Sequence, residues 1–359
     1  MSVNKSFSSN KETVTFFDEV LEKFEEACEK SAEGLMERYY EIGGYTLCLK
    51  YCGSALMDHV SPSLEHGLRP ASDTPDLTIC LWDSASGNTE MVPPPWATKE
   101  FEHQGEIISF NNEHIATLFQ PGEDTLNLLD FSRDLGIFWR RDAINVPYYL
   151  TGAPLRSILH WWMSNNGRQF IHGAAVGRES GGVLLVGKGG SGKSTAAISC
   201  LNSNLSYVGD DYCLMALDPE PYVYSLYNSA KLDFDHFDRF PQLVPYLHNQ
   251  HPSEEDKGLV ILQRHFPEKL ISGFTIKAVL IPRVLGNAQS QIHRTSAASA
   301  LAALAPSTMF QLTRNRELSF RRISQLVKTV PAFILDSGTN IQSIPAVIET
   351  LLESNLVDN

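Results

Sequence analysis

Val183-Leu-Leu-Val-Gly-Lys-Gly-Gly-Ser-Gly-Lys-Ser-Thr195 is the stretch on which the reading of this chain turns. Its first four residues form an apolar run of strand length. Gly187-Lys188-Gly189-Gly190-Ser191-Gly192-Lys193-Ser194 then fits the pattern G-x-x-x-x-G-K-[ST], and 195–201 is compatible with a helix. A strand before and a helix after is the context in which such a loop can work. Its glycines let the backbone curl until several N–H groups point inward at phosphate oxygens. Lys193 can reach the β- and γ-phosphates of a nucleotide, and Ser194 can offer its hydroxyl to Mg²⁺, an ion that keeps most of its waters and takes few protein oxygens. The loop from Gly187 to Ser194, with Thr195 after it, is therefore the expected nucleotide-binding set. ATP and Mg²⁺ are the expected ligands.

Two features flank the loop. Upstream, 170–176 reads as a strand carrying His172. Downstream, 205–209 is an apolar strand that ends in Asp210-Asp211, where phosphoryl transfer needs one carboxylate on the metal and another near the attacking oxygen. An Asp-Asp pair is in isolation a solvated turn. After a phosphate loop it reads as chemistry. From its strand, His172 can lie beside either aspartate and tune its protonation.

His172 precedes Gly187 by 15 positions, and Asp210 and Asp211 follow it by 23 and 24. In this spacing the segment 170–215 resembles the HPr kinase/phosphorylase family, whose relatives include lasso-peptide precursor kinases. The resemblance implies an α/β fold: a mixed-sheet nucleotide-binding core of the HPr kinase and phosphoenolpyruvate carboxykinase type, with a P-loop. It implies Lys193 and Ser194 on the nucleotide and metal, Asp210 as general base toward a serine hydroxyl with His172 interacting with it, and Asp211 as a carboxylate that reaches the metal directly or through a bound water. The implied acceptor is a serine on a protein or peptide. A small-molecule hydroxyl, or a nucleotide-dependent switch with no transfer, are the other readings. The downstream glycine- and arginine-containing signature of bifunctional members is missing, so phosphorylase activity, the HPr substrate and a hexameric assembly are not carried over. Other homo-oligomers stay open.

The rest of the 359 residues bounds these readings. With 43% hydrophobic and 20% charged residues the chain is of ordinary globular composition, and its length suits two domains. The 29 Lys and Arg against 42 Asp and Glu leave a net charge of −13, which disfavours a sequence-independent grip on nucleic acid. No apolar run reaches bilayer-spanning length and the N-terminus lacks an apolar signal core, so neither a membrane nor export is expected, and the cytoplasm is the expected location. The six scattered cysteines suit reduced thiols.

Outward from the loop, the expected organisation is a flexible tail over 1–11 and an amphipathic helix over 12–41, either packed on its own domain or serving a partner. A β-rich domain with strands at 45–50, 77–82 and 106–110 is expected over 42–150, and the kinase-like domain over 151–355. Helices are expected near 154–165, 296–304 and 344–353, and the segments 227–232, 274–283 and 330–335 suit a core of mixed sheet and helices. Lys231, Lys257, Arg264 and Arg283 are candidates for a cation facing the transferring phosphoryl group, Lys231 and Arg264 foremost. The basic run Arg314, Arg316, Arg321, Arg322 suits a solvated helix face or a substrate-docking surface.

Overall fold

The computed structural model describes residues 10–97, 100–144, 146–249 and 257–354. It divides into two compact units, one of 1–62 with 67–162 and one of 63–66 with 163–359. The division falls about a dozen residues beyond the boundary expected at 150/151, inside a helix. Residues 1–9 of the expected tail lie outside the described residues.

In the first unit, α1 (Asn10–Lys30) presents Phe16, Phe17, Val20, Phe24 and Ala27, spaced to share one face, to the core. Asn10 and Lys11, expected in the tail, begin this helix. It does not run on to 41. Gly34, at φ +68°, breaks it, and 35–42 becomes strand β1 (Leu35–Ile42). Leu35, Met36 and Tyr39 continue a helical spacing by coincidence. Gly43 and Gly44, at φ +62° and +84°, turn the chain straight back into β2 (Tyr45–Cys52). Two consecutive left-handed residues in a two-residue hairpin explain the Gly-Gly pair.

After the single turn α2 (Met57–Val60) come β3 (Leu68–Arg69), β4 (Leu77–Asp83) and another single turn, α3 (Ser84–Gly87). Strands β5 (Ile115–Gln120), β6 (Thr125–Asp130) and β7 (Leu135–Arg140) complete a mixed sheet of order β3-β1-β2-β4-β7-β6-β5. The strand expected at 106–110 is instead two isolated bridges, at Glu106 and Ile107, followed by a short turn of 3-10 helix. Helices α4 (Tyr148–Gly152) and α5 (Arg156–Asn165) lead to the division between the units.

The second unit is built on β8 (Gln169–Arg178) and β9 (Gly181–Val186), an antiparallel hairpin. Its residues alternate between two cores. Ala174, Val176, Val183 and Leu185 face one cluster, while Ile171, Ala175, Leu184 and Val186 face the other. A strand buried on both faces needs this unbroken apolar run, which is why 183–186 contains no polar residue. Helix α6 (Lys193–Ser199) follows the loop, and β10 (Ser206–Gly209), β11 (Tyr212–Ala216) and β12 (Tyr222–Tyr224) come next. Strands β13 (Ser229–Asp233) and β14 (Lys257–Ile261) pair as a separate antiparallel ribbon. Strands β15 (Gly273–Val284), β16 (Gln291–Thr295) and β17 (Ala332–Ser337), with helices α7 (Ala297–Met309), α8 (Arg316–Thr329) and α9 (Ser343–Leu352), close the unit.

The main sheet runs β10-β8-β11-β12-β15-β17-β16, with β9 paired to both β8 and β15. β9 and β17 run parallel to β15, and the other pairs are antiparallel. Residues of α6 and α9 join one core, and residues of α7 and α8 the other. The unit is thus mixed α/β with a mixed sheet. Among the described residues no helix is long and apolar enough to cross a membrane. Cys48, Cys52, Cys80, Cys200 and Cys213 are buried free thiols, and Cys28 is half-buried.

Candidate active site

The loop between β9 and α6 has the backbone its glycines were expected to allow. Gly187, Gly190 and Gly192 have φ of +149°, +74° and +98°, values that residues with a β-carbon rarely adopt. A β-carbon on Gly187 would lie 2.8 Å from Ser191 Oγ, so even an alanine needs that side chain to move. Lys193, the first residue of α6, is buried. Its Nζ donates to the carbonyls of Gly187 at 2.8 Å and Lys188 at 3.1 Å. Burial pulls its pKa below that of an ordinary lysine, against the opposing pull of Asp210 and Asp211.

Both aspartates lie beside this loop. Strands β10 and β11 pair in turn with β8, with Gly209 opposite Ala175 and Tyr212 opposite His172. Asp210 and Asp211 fall between, in a tight turn closed by a 2.9 Å hydrogen bond from Tyr212 N–H to Asp210 C=O. Asp211 sits at φ +70°, a strained conformation for a residue with a side chain. In a regular strand consecutive side chains point to opposite faces. The kink overrides that rule, and both acids line one cavity of about 310 Å³.

Their surroundings differ sharply. Asp210 is 1% exposed; its Oδ1 accepts from Ser194 Oγ at 3.1 Å and from Asp211 N–H at 2.9 Å, while its buried Oδ2 has no hydrogen-bond partner. Burial, and then the neighbouring charge of Asp211, push the Asp210 carboxyl above the usual carboxylate range. Asp211 is engaged on both oxygens. Its Oδ2 takes Lys231 Nζ at 2.7 Å and its Oδ1 lies 3.3 Å from His172 Nε2. Burial alone would raise it, but the Lys231 charge and the His172 contact outweigh burial and hold it far below the usual range.

His172 therefore faces Asp211, not Asp210 as the resemblance implied. The cause is the kink, which swings the Asp211 side chain toward the strand position that His172 occupies. The His172 backbone N–H is fixed by Thr308 Oγ1 of α7 at 3.1 Å, and its Nδ1 is buried without a partner.

The cations foreseen from sequence are scattered. Lys231 reaches the cavity from β13, and Lys257 lines it from β14 while pairing with Asp233 at 3.3 Å. Arg264 is engaged elsewhere, in two hydrogen bonds to the Glu65 carboxylate. Arg322 donates to the carbonyls of Ser164 and Arg168, an anchoring role within the unit. His236 and Arg239 also line the cavity. They follow β13 in a short 3-10 helix, 234–239, with no motif to announce them. Lys188 and Arg283 line a second cavity, on the other side of the loop.

Among the described residues no cluster of three or more His, Cys, Asp or Glu could hold a metal ion. A Mg²⁺ ion accompanying a triphosphate needs no such cage, because phosphate oxygens and water fill most of its shell. The Ser194 hydroxyl, which lines the cavity, fits that need. Asp211, the carboxylate expected on the metal, lines the same cavity with one contact on each oxygen.

No protein-family model matches this chain, and no curated protein does. Among solved structures, the HPr(Ser) kinase/phosphatase from Coxiella burnetii is similar over 51% of this chain and 88% of that one, at 12% identity and a TM-score of 0.29.

Proposed function

We propose that the second unit is a phosphotransferase that binds ATP through the 187–194 loop and passes its γ-phosphoryl group to a hydroxyl, with a serine of a protein or peptide as acceptor. The observation that carries this reading is the Asp210 carboxylate. It is buried beside Ser194 in the cavity that the loop and Lys193 also line, and one of its oxygens is free. A buried acid with a raised pKa and an unused oxygen is equipped to take a proton.

In this reading the loop amides and Lys193 hold the phosphates. Ser194 is the group that would hold Mg²⁺, which offsets phosphate charge when bound. The acceptor oxygen forms its bond to the γ-phosphorus as the bond to the bridging β–γ oxygen breaks, and the nucleoside diphosphate leaves. The hydroxyl proton passes to Asp210. Asp211 stays ionised, holding Lys231 toward the cavity and fixing the ring of His172.

Radiolabelled γ-phosphate is the direct test, with purified chain, cell extract and Mg²⁺. Label should move from ATP to an acidic-stable product, and Asp210→Asn should lower transfer by about 10²–10⁴-fold while ATP binding persists. Full transfer by Asp210→Asn would remove its role as base. ATP binding with no labelled product and no ATP consumption would point instead to a nucleotide-dependent switch.

A further inference from the structure

The loop has two sides. The cavity described above holds Lys193, Ser194, Thr195 and both aspartates. On the other side a groove of about 480 Å³ is lined by Gly187, Lys188 and Gly189 of the loop, by Ile281, Pro282 and Arg283 of β15, and by the outer face of α7. None of Lys193, Ser194, Thr195 or the aspartates lines this groove. Only His172, Gly189 and Ser191 line both.

Helix α7 is unusual for a helix with an exposed face. Residues 297–309 contain no charged side chain, yet Ala298, Ala302 and Pro306 are exposed, and Phe310 just beyond them is 74% exposed. These positions are four apart and make one stripe. A run of exposed apolar side chains of this kind marks a surface that meets a partner. Thr308 and Gln311 fix the end of this helix to the site, through the His172 backbone and the Tyr212 hydroxyl.

Two buried polar atoms point to a ligand at the junction. His172 is 6% exposed and its Nδ1 has no partner, and Ser191 Oγ is likewise buried and unpartnered. Lys188 and Arg283 stand at the groove with no ion pair among the described residues.

From these observations we infer that the groove between the loop and α7 is the docking site for the acceptor, a peptide segment whose hydroxyl-bearing residue is flanked by apolar side chains and a carboxylate. This rests on the phosphotransferase reading. The triphosphate occupies the cavity with Ser194, Thr195 and Asp210, and the groove meets that cavity at His172, Gly189 and Ser191, which line both, so the acceptor hydroxyl enters there to reach Asp210. The apolar flank covers Ala302, Pro306 and Phe310, and the carboxylate meets Arg283 and Lys188. The exposed stripe continues beyond the groove, which favours an extended segment over a compact alcohol.

The test uses the full chain with two fluorescein-labelled serine peptides of equal length, read by fluorescence anisotropy, with Mg²⁺·ATP binding measured in parallel by calorimetry. One peptide flanks its serine with leucine, phenylalanine and glutamate, the other with glycine, asparagine and lysine. The first should bind at least about tenfold more tightly, and Phe310→Asp should weaken it about tenfold, as loss of an aromatic anchor does. Arg283→Glu should reverse the preference between glutamate and lysine, a result that misfolding cannot produce. Equal binding of the two peptides, no binding of either, or indifference to both substitutions overturns the groove assignment. So does a dimer that Phe310→Asp dissolves, since a second copy would then cover the stripe. Failure of ATP to bind defeats the phosphotransferase reading instead, whatever the peptides do.

Discussion

At the scale of single residues, Asp210 and Asp211 are adjacent in sequence and opposite in character. Asp210 accepts a proton only when ionised, and its pKa is raised. Transfer should therefore fall as pH drops through a value above the ordinary carboxylate range of about 4, and a pH–rate profile of kcat/KM would reveal that limb. The folded chain binds the Asp210 proton more tightly than the unfolded chain does, so its ionised form costs stability above the raised pKa. Asp210→Asn should thus leave the melting temperature at neutral pH unchanged or higher, although it removes transfer. Asp211 has the contrary sign. Its depressed pKa gives stability in full above the ordinary carboxylate range, lost only as pH falls below it. Lys231→Met, which strips Asp211 of its cation, should cost about 1–3 kcal/mol at pH 7 in denaturant titrations. That penalty sits below the one for a fully buried pair because Asp211 keeps 28% exposure, and it should shrink in acid. That His172 lies beside one of the two acids was legible in the sequence; that it is Asp211 was not, since the choice depends on one backbone angle. The presence of both acids at the loop was legible, because the chemistry demands carboxylates at a strand end.

At the scale of elements, the loop and the hairpin β8–β9 could be read from residue types alone. Glycines at fixed offsets and an apolar run buried on both faces leave few alternatives. The length of α1 could not. Apolar spacing continued past Lys30, and the decisive signals were the glycines at 34, 43 and 44. Gly34→Ala isolates that backbone effect, since a β-carbon there would meet nothing within 4 Å. It should destabilise the chain by about 1 kcal/mol through left-handed strain, with ATP binding untouched. Gly192→Ala carries a comparable strain at φ +98°, but there the distortion lies in the phosphate loop. It should weaken ATP binding as well as stability, and calorimetry beside thermal melts separates the two. His236 and Arg239 stayed hidden because a 3-10 helix of six residues is too short to leave a readable periodicity.

At the scale of the whole molecule, the charge of −13 and a sequence pI near 5.3 set the behaviour in solution. Solubility should pass through a minimum near pH 5.3, as light scattering would register, and Asp210→Asn should share that minimum while losing the acid limb of transfer. The expectation of two domains came from length, and that of a mixed α/β core from the resemblance of 170–215. The point of division was not legible, since it falls within a helix and a short segment, 63–66, groups with the later residues. One further consequence follows from Lys193, whose ammonium already rests on two carbonyl oxygens of its own loop. A visitor without charge has nothing better to offer it and leaves those bonds in place. An incoming polyanion trades each neutral contact for a stronger charge-assisted one. Within an otherwise anion-repelling body, admission is decided by the visitor's charge before its shape is consulted.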